Sequence, residues 1–158
     1  MDFLDNKLEE YVESHTSEES TLLNDLNRET WMKVLQPRML SGHLQGRALS
    51  MFSKMIQPNR ILEIGTYTGY SALCLAEGLK ENGELHTIDI NEELEPFFKG
   101  FFKRSDYAKM IHFHLGNALE IVPKLNLDFD LVFIDADKGN YINYYNLLID
   151  QLKSGSYI

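Results

Sequence analysis

Cysteine is almost missing from this 158-residue chain: Cys74 stands alone. One thiol excludes an intrachain disulfide and a cysteine-rich zinc site. Basic charge is also scarce. Fifteen Lys and Arg face twenty-four Asp and Glu, a formal net charge of −9. A phosphate-rich partner wants a basic surface, so nucleic acid and anionic membrane are disfavoured as non-specific ligands. No apolar run approaches the roughly 18 residues of a membrane-crossing helix. The opening MDFLDNKLEEYVES is acidic and carries no basic-then-apolar leader pattern, so a cytoplasmic location is expected. Internal repeats and low-complexity tracts are absent. The length and the 44% hydrophobic content are those of one ordinary globular domain.

The first third of the chain reads as helix. Leu4, Leu8, Tyr11 and Val12 share one helical face. Thr16-Ser-Glu-Glu19 fits a capping box, with Thr16 as N-cap and Glu19 reaching back. Leu22, Leu23 and Leu26 start a second apolar stripe, which Trp31, Val34 and Leu35 continue until Pro37 breaks it. Leu44, Ala48, Met51, Phe52 and Met55 form a third. The pattern predicts an N-terminal helical region over 1–57 and an α/β core over 58–158 within a single domain.

From residue 60 the pattern becomes strand, turn, helix, repeated. Strands are expected at 60–64, 85–89, 110–115 and 129–134. Helices are expected from Ser71 to about Lys80, from late in the 91–96 window, over 118–122 and over 141–152. Gly155-Ser-Tyr-Ile158 reads as the opening of a further strand. Such alternation predicts a doubly wound, mostly parallel, Rossmann-like sheet with helices on both faces. Ligands of these sheets sit at the carboxyl ends of the strands.

Those strand ends hold the polar residues. The first ends in Glu63-Ile-Gly65-Thr66-Tyr-Thr-Gly69-Tyr-Ser71, where two glycines permit a tight turn close to a ligand or merely a turn. Gly-x-x-x-Gly is not the Gly-x-Gly-x-x-Gly of a pyrophosphate cradle, which disfavours a dinucleotide. The second ends in Asp89, placed to accept from ribose hydroxyls or simply solvated. After the third comes Gly116-Asn117-Ala118, an adenine contact or a helix N-cap. The fourth ends in Asp135-Ala-Asp137-Lys138, two carboxylates and an ammonium. Asp135 suits a hard metal, and Lys138 a general base; the plainer reading is a surface salt bridge. The five histidines lack helical zinc spacing and read as structural.

Four segments, RILEIGTYTGYS (60–71), HTIDIN (86–91), GNALEIVP (116–123) and LVFIDADK (131–138), together resemble the class I S-adenosylmethionine-dependent methyltransferases. The resemblance is to their cation-dependent O-methyltransferase family, which includes catechol and caffeoyl-CoA enzymes. It implies that Glu63, Gly65, Thr66 and Ser71 hold the methionine part of the cofactor and that Asp89 holds its ribose. Ala118 and Asn117 would lie beside adenine, Asn117 standing where the family usually has Asp. Asp137 would lie near the cofactor and Tyr144 near the substrate or cofactor. Asp135 would ligate a divalent cation such as Mg²⁺, and Lys138 would act as base. Ser41 falls in a stretch that covers the cofactor, although Gly42-His43 stands where the family has Ser-Pro. The expected reaction is methyl transfer to a hydroxyl of a small catechol-like acceptor by a homodimer.

The family takes its other metal ligands from beyond a fifth strand, so the chain is expected to be a C-terminally truncated form without its last edge strands and inactive by itself. Two alternatives stand beside that reading: a nucleotide-cofactor oxidoreductase of similar architecture, and a non-catalytic cofactor-binding fragment.

Overall fold

The computed structural model describes residues 5–158. Strands β1 (Arg60–Ile64), β2 (Glu84–Asp89), β3 (Ile111–Leu115) and β4 (Leu131–Ile134) form one sheet, order β3-β2-β1-β4, with every pair parallel. Ile61 and Leu62 of central β1 point to opposite faces, and both are fully buried. Burial on both faces is what a parallel sheet covered by crossover helices requires. On one face Ile61 and Leu85 pack with Leu23, Leu26, Tyr70, Leu73 and Phe98. These come from α2 (Thr21–Lys33), α4 (Tyr70–Ala76) and α5 (Glu95–Arg104). On the other face Leu62, Ile64, Ile88 and Val132 pack with Val122, Tyr144 and Leu148 from α6 (Ala118–Leu125) and α7 (Tyr141–Ile149). The order runs β1, β2, β3 outward and then jumps back to β4 beside β1. That reversal is the switch point where such sheets open a ligand crevice.

The last residues begin another parallel pairing. Tyr157 bridges Leu131; its N–H donates to Asp130 O at 3.0 Å, and its carbonyl accepts from Val132 N at 2.8 Å.

Several sequence expectations change. Thr16 is not a helix N-cap. It closes α1 (Asn6–His15), its hydroxyl bonded to Val12 O at 2.9 Å, and Ser20 caps α2 by accepting from Leu23 N. Thr16 suits a C-terminus here because its hydroxyl reaches back to an orphan carbonyl. Helix α2 stops at Lys33, so Leu35 is 99% exposed and Trp31 is also on the surface. Leu4 lies outside the described residues, and Leu8 and Tyr11 are exposed. Helix α4 ends at Ala76, shorter than expected, whereas α6 runs to Leu125 with Pro123 inside it. The apolar stripe of α3 (Gly42–Ile56) faces outward: Leu44, Met51, Phe52 and Met55 are exposed, and Gly46, Ser50 and Ser53 are buried. Gly46 explains the inversion. A Cβ there would lie 2.5 Å from the Tyr70 ring and 2.8 Å from Cys74 Sγ, so the small-residue face lets α3 approach α4 closely.

No helix among the described residues is long and apolar enough to cross a membrane.

Candidate functional site

A cleft of about 1040 Å³ opens at the carboxyl ends of the strands. Its walls bring together Ser41, Gly65, Thr66, Ser71, Asp89, Asn117, Ala118, Asp135, Asp137, Lys138 and Tyr144. Every sequence-derived candidate is there except Glu63, which is fully buried behind the wall.

The β1 turn is set by contacts as well as by glycine's freedom. Gly65 has φ +105°, and a Cβ on it would meet Asp135 O at 2.1 Å. The turn therefore sits against the end of β4 with no room for a side chain. Its N–H donates to Ile88 O at 2.9 Å, tying it to β2 as well.

Asp89 is held from both sides. Its Oδ2 accepts from Tyr67 N at 2.8 Å, and its Oδ1 accepts from Asn91 N at 2.9 Å. Each carboxylate oxygen keeps a further lone pair for a ligand hydroxyl. Tyr67 was not foreseen. It adopts φ +49°, and its phenol donates to Gln36 O at 2.7 Å, linking the glycine turn to the segment before α3. Its signal lay in the motif itself, as the residue directly after Gly65-Thr66, but nothing in the sequence names Gln36 as a partner.

Behind the turn runs a buried hydroxyl relay. Thr87 donates to Glu63 Oε2 at 2.5 Å, which leaves Thr66 to donate to Thr87, also at 2.5 Å. Thr66 thus turns its side chain inward and offers the cleft its backbone. Burial pushes the Glu63 carboxyl up to about 7, and the Asp135 and Asp89 charges add to the rise. Ser71 and Thr87 oppose it, but only the Thr87 contact has hydrogen-bond geometry, and Glu63 Oε1 has no partner. A fully buried polar atom without a partner is costly unless a ligand supplies one.

Asn117 is the N-cap of α6, its Oδ1 accepting from Leu119 N at 3.0 Å. Ala118 is buried beside it. Asp137 accepts from Tyr144 OH at 2.6 Å and from the Asn140 amide, which holds its carboxyl below its ordinary value. The same arrangement, with burial as the larger cause, pushes the Tyr144 phenol up to about 12. Tyr144 is buried and Tyr145 exposed, so only the former faces the cleft. Lys138 forms no ion pair among the described residues, so the surface salt bridge considered from sequence is not formed. Asp135 and Lys138 stand exposed at the mouth. Burial pushes the Cys74 thiol up to about 12, which keeps it out of thiolate chemistry.

No group of three His, Cys, Asp or Glu side chains able to hold a metal occurs among the described residues. Asp135 remains a single donor, whereas Mg²⁺ and Ca²⁺ take six or more oxygens. His86, His112 and His114 stack with ring centres 5.1 and 5.2 Å apart on β2 and β3 and do not make a metal centre.

The sheet order and this cleft define a Rossmann-like α/β domain of the methyltransferase type. The SAH-bound methyltransferase PaMTH1 of Podospora anserina superposes with a TM-score of 0.89 at 27% identity, over 96% of this chain and 66% of that one. The Bacillus cereus O-methyltransferase in complex with SAH gives 0.88 at 25% identity, over 95% and 70%. The chain belongs to the O-methyltransferase family, whose sequence profile matches residues 13–158. Caffeoyl-CoA O-methyltransferase 1 of Arabidopsis thaliana is 37% identical over 120 residues, 72% of this chain and 46% of that protein. The Medicago sativa caffeoyl-CoA O-methyltransferase is 38% identical over the same length. The chain spans about half the length of these curated relatives.

Proposed function

We propose that the cleft binds S-adenosylmethionine and that the protein directs its methyl group to a hydroxyl of a small hydroxylated aromatic acceptor. The observation that carries this reading is the pairing of a backbone-held Asp89 with the unpartnered, buried Glu63 oxygen across one glycine turn. That set fits the cofactor better than a phosphate, because both acidic groups offer hydrogen-bond acceptors, which suit hydroxyl and ammonium groups and repel phosphate oxygens. Asp89 would hold the ribose hydroxyls. The Gly65–Thr66 backbone and Ser71 would hold the methionine end, backed by Glu63 from behind the turn, with Ala118 and Asn117 beside adenine and Ser41 at the rim. Asp137 keeps Tyr144 oriented toward the bound molecules. When bound, the cofactor supplies an electrophilic methyl on a sulfonium. Lys138 is assigned the acceptor's hydroxyl proton, and the protein's main contribution is alignment of the two centres.

Asp135 would supply one carboxylate to a divalent metal, with water and the acceptor's oxygens among its other donors.

Titration calorimetry with S-adenosylhomocysteine tests the cofactor assignment. Asp89→Ala should weaken binding about 10- to 100-fold, the loss of one or two hydrogen bonds to a charged group. Equal affinity in the variant refutes the ribose role, and tight NADH binding instead would move the protein to an oxidoreductase class. Lys138→Ala should leave that affinity intact and lower methyl transfer, if the parent shows any; turnover within twofold of a measurable parent rate removes Lys138 as base.

A further inference from the structure

The start of α3 is fastened to the start of α4 by a line of polar contacts that no part of the proposed chemistry uses. The Thr16 hydroxyl meets Val12 O at 2.9 Å and His43 Nε2 at 2.6 Å. The other ring nitrogen, Nδ1, lies 3.9 Å from Glu19 Oε1, an ion pair when the ring is protonated. That same Glu19 oxygen accepts from the Tyr70 phenol. Both His43 and Glu19 are largely shielded, their side chains 17% and 10% exposed. Burial, followed by the bond to Glu19, pushes the Tyr70 phenol well above its ordinary value, so it stays a donor.

The ends of this line lie at the cleft. Ser41 and Tyr70 both line it, and Gly42 (φ +72°) and His43 come directly after Ser41. Ser41 makes no capping bond of its own at the α3 N-terminus, so its place at the rim is fixed through Gly42 and His43. Gly46, one turn along α3, leaves the space in which the Tyr70 ring lies. Tyr67 makes the parallel tie from the same glycine turn to Gln36. Both tyrosines of Thr-Tyr-Thr-Gly-Tyr-Ser (66–71) thus bind the helical N-terminal part onto the rim.

We propose that His43 and Glu19 are positioning residues for the cofactor: through Tyr70 they hold the segment carrying Ser41 over the cleft. This rests on reading the cleft as the S-adenosylmethionine site. A tether of this kind raises affinity by ordering the rim before the ligand arrives, without touching the ligand. Loss of the Glu19 carboxylate also strands the Tyr70 hydroxyl in a buried place.

Calorimetry with S-adenosylhomocysteine on the full chain, paired with thermal midpoints, tests it. His43→Ala, Glu19→Ala and Tyr70→Phe should each weaken binding about 5- to 20-fold, the range of one or two lost hydrogen bonds. Glu19→Gln keeps an acceptor for Tyr70 and should return affinity to within about threefold of the parent. Ser53→Ala is the structural control. It removes a buried 2.6 Å bond from α3 to Leu75 O, between the same two helices but outside the cleft wall. It should lower the midpoint and leave affinity within about twofold, because its loss does not reach the rim. The proposal is overturned if His43→Ala binds like the parent, or if Ser53→Ala loses affinity in step with its midpoint. If the parent itself does not bind, the cofactor reading falls and this inference falls with it. If the parent binds, Asp89→Ala does not and His43→Ala matches the parent, only the positioning role fails.

Discussion

Replacing Glu63 by glutamine should change how stability depends on pH, and the size of the change is set by its surroundings. The carboxyl is fully buried, and burial lifts it from 4.5 to about 7. An acid raised in the folded state binds more protons there than in the unfolded chain between those two values. Stability therefore falls as pH rises through that window, and the cost is complete above about pH 7. At about 1.4 kcal/mol per unit, the ionised carboxylate costs roughly 3 kcal/mol at pH 8. Glu63→Gln keeps an oxygen for Thr87 and removes the charge. Its amide group would be unpaired where Oε1 is now, a pH-independent cost of about 1–3 kcal/mol. The telling quantity is thus the difference between two pH values. Urea unfolding of both chains should show Glu63→Gln gaining about 3 kcal/mol on the parent between pH 4.5 and pH 8. A difference curve that is flat within 0.5 kcal/mol, on the order of the linear-extrapolation error, refutes the buried-charge account. The same variant should bind S-adenosylhomocysteine more weakly, since the cost in the empty protein is kept for the ligand.

The cleft and the sheet lead to two more outcomes. Burial, with the neighbouring His112 and His114 opposed by Glu84, pushes His86 down to about 4. A base lowered in the folded state is destabilising once the unfolded chain takes up protons, so His86 should contribute a loss of about 1–3 kcal/mol as pH falls from 6.5 toward 4, opposing the gain from Glu63 over the same range. In urea unfolding His86→Phe should therefore gain about 1–3 kcal/mol on the parent between pH 6.5 and pH 4, and a flat difference would place the acid sensitivity elsewhere. Gly65→Ala should cost about 2–4 kcal/mol in chemical unfolding, because a Cβ would meet Asp135 O at 2.1 Å with φ at +105°; a cost under 1 kcal/mol would mean that β1 and β4 separate easily at their ends.

The parallel core was legible because its signals are local and redundant. Buried runs such as Arg60–Ile64 and Leu131–Ile134, separated by helical stretches and glycine turns, leave few topologies. Strand ends then place Asp89, Asn117 and Asp135 in one cleft with no knowledge of packing. The ties between distant segments were not legible. Tyr67 to Gln36 spans 31 residues and Tyr70 to Glu19 spans 51, and each needs a particular backbone geometry at both ends. Thr66 shows the same limit. Its place in the turn is readable, but the inward rotation of its hydroxyl depends on Thr87 standing beside it on β2. Thr16 failed because a cap pattern is symmetric to a reader of sequence: a Ser/Thr pair with acids fits the end of one helix as well as the start of the next.

Helix α3 carries the sharpest contrast. Periodicity placed Leu44, Met51, Phe52 and Met55 on one face and implied burial, but packing is decided by what the opposite face can do. Gly46, Ser50 and Ser53 allow close contact with α4, while Ser50 and Arg47 reach Glu77 at 2.7 Å each. Small residues and the Arg47–Glu77 ion pair won the interior, and the four apolar side chains stayed outside. Exposed apolar side chains grouped on one helix face suit contact with another protein surface. The expected homodimer, if it forms through this face, should be broken by Met51→Glu. The exposed position means that the variant should unfold within about 0.5 kcal/mol of the parent. Sedimentation equilibrium at tens of micromolar should show the parent self-associated and Met51→Glu monomeric. Association that survives Met51→Glu and Met55→Glu together would exclude the α3 stripe as the seam, and a monomeric parent would exclude the homodimer itself.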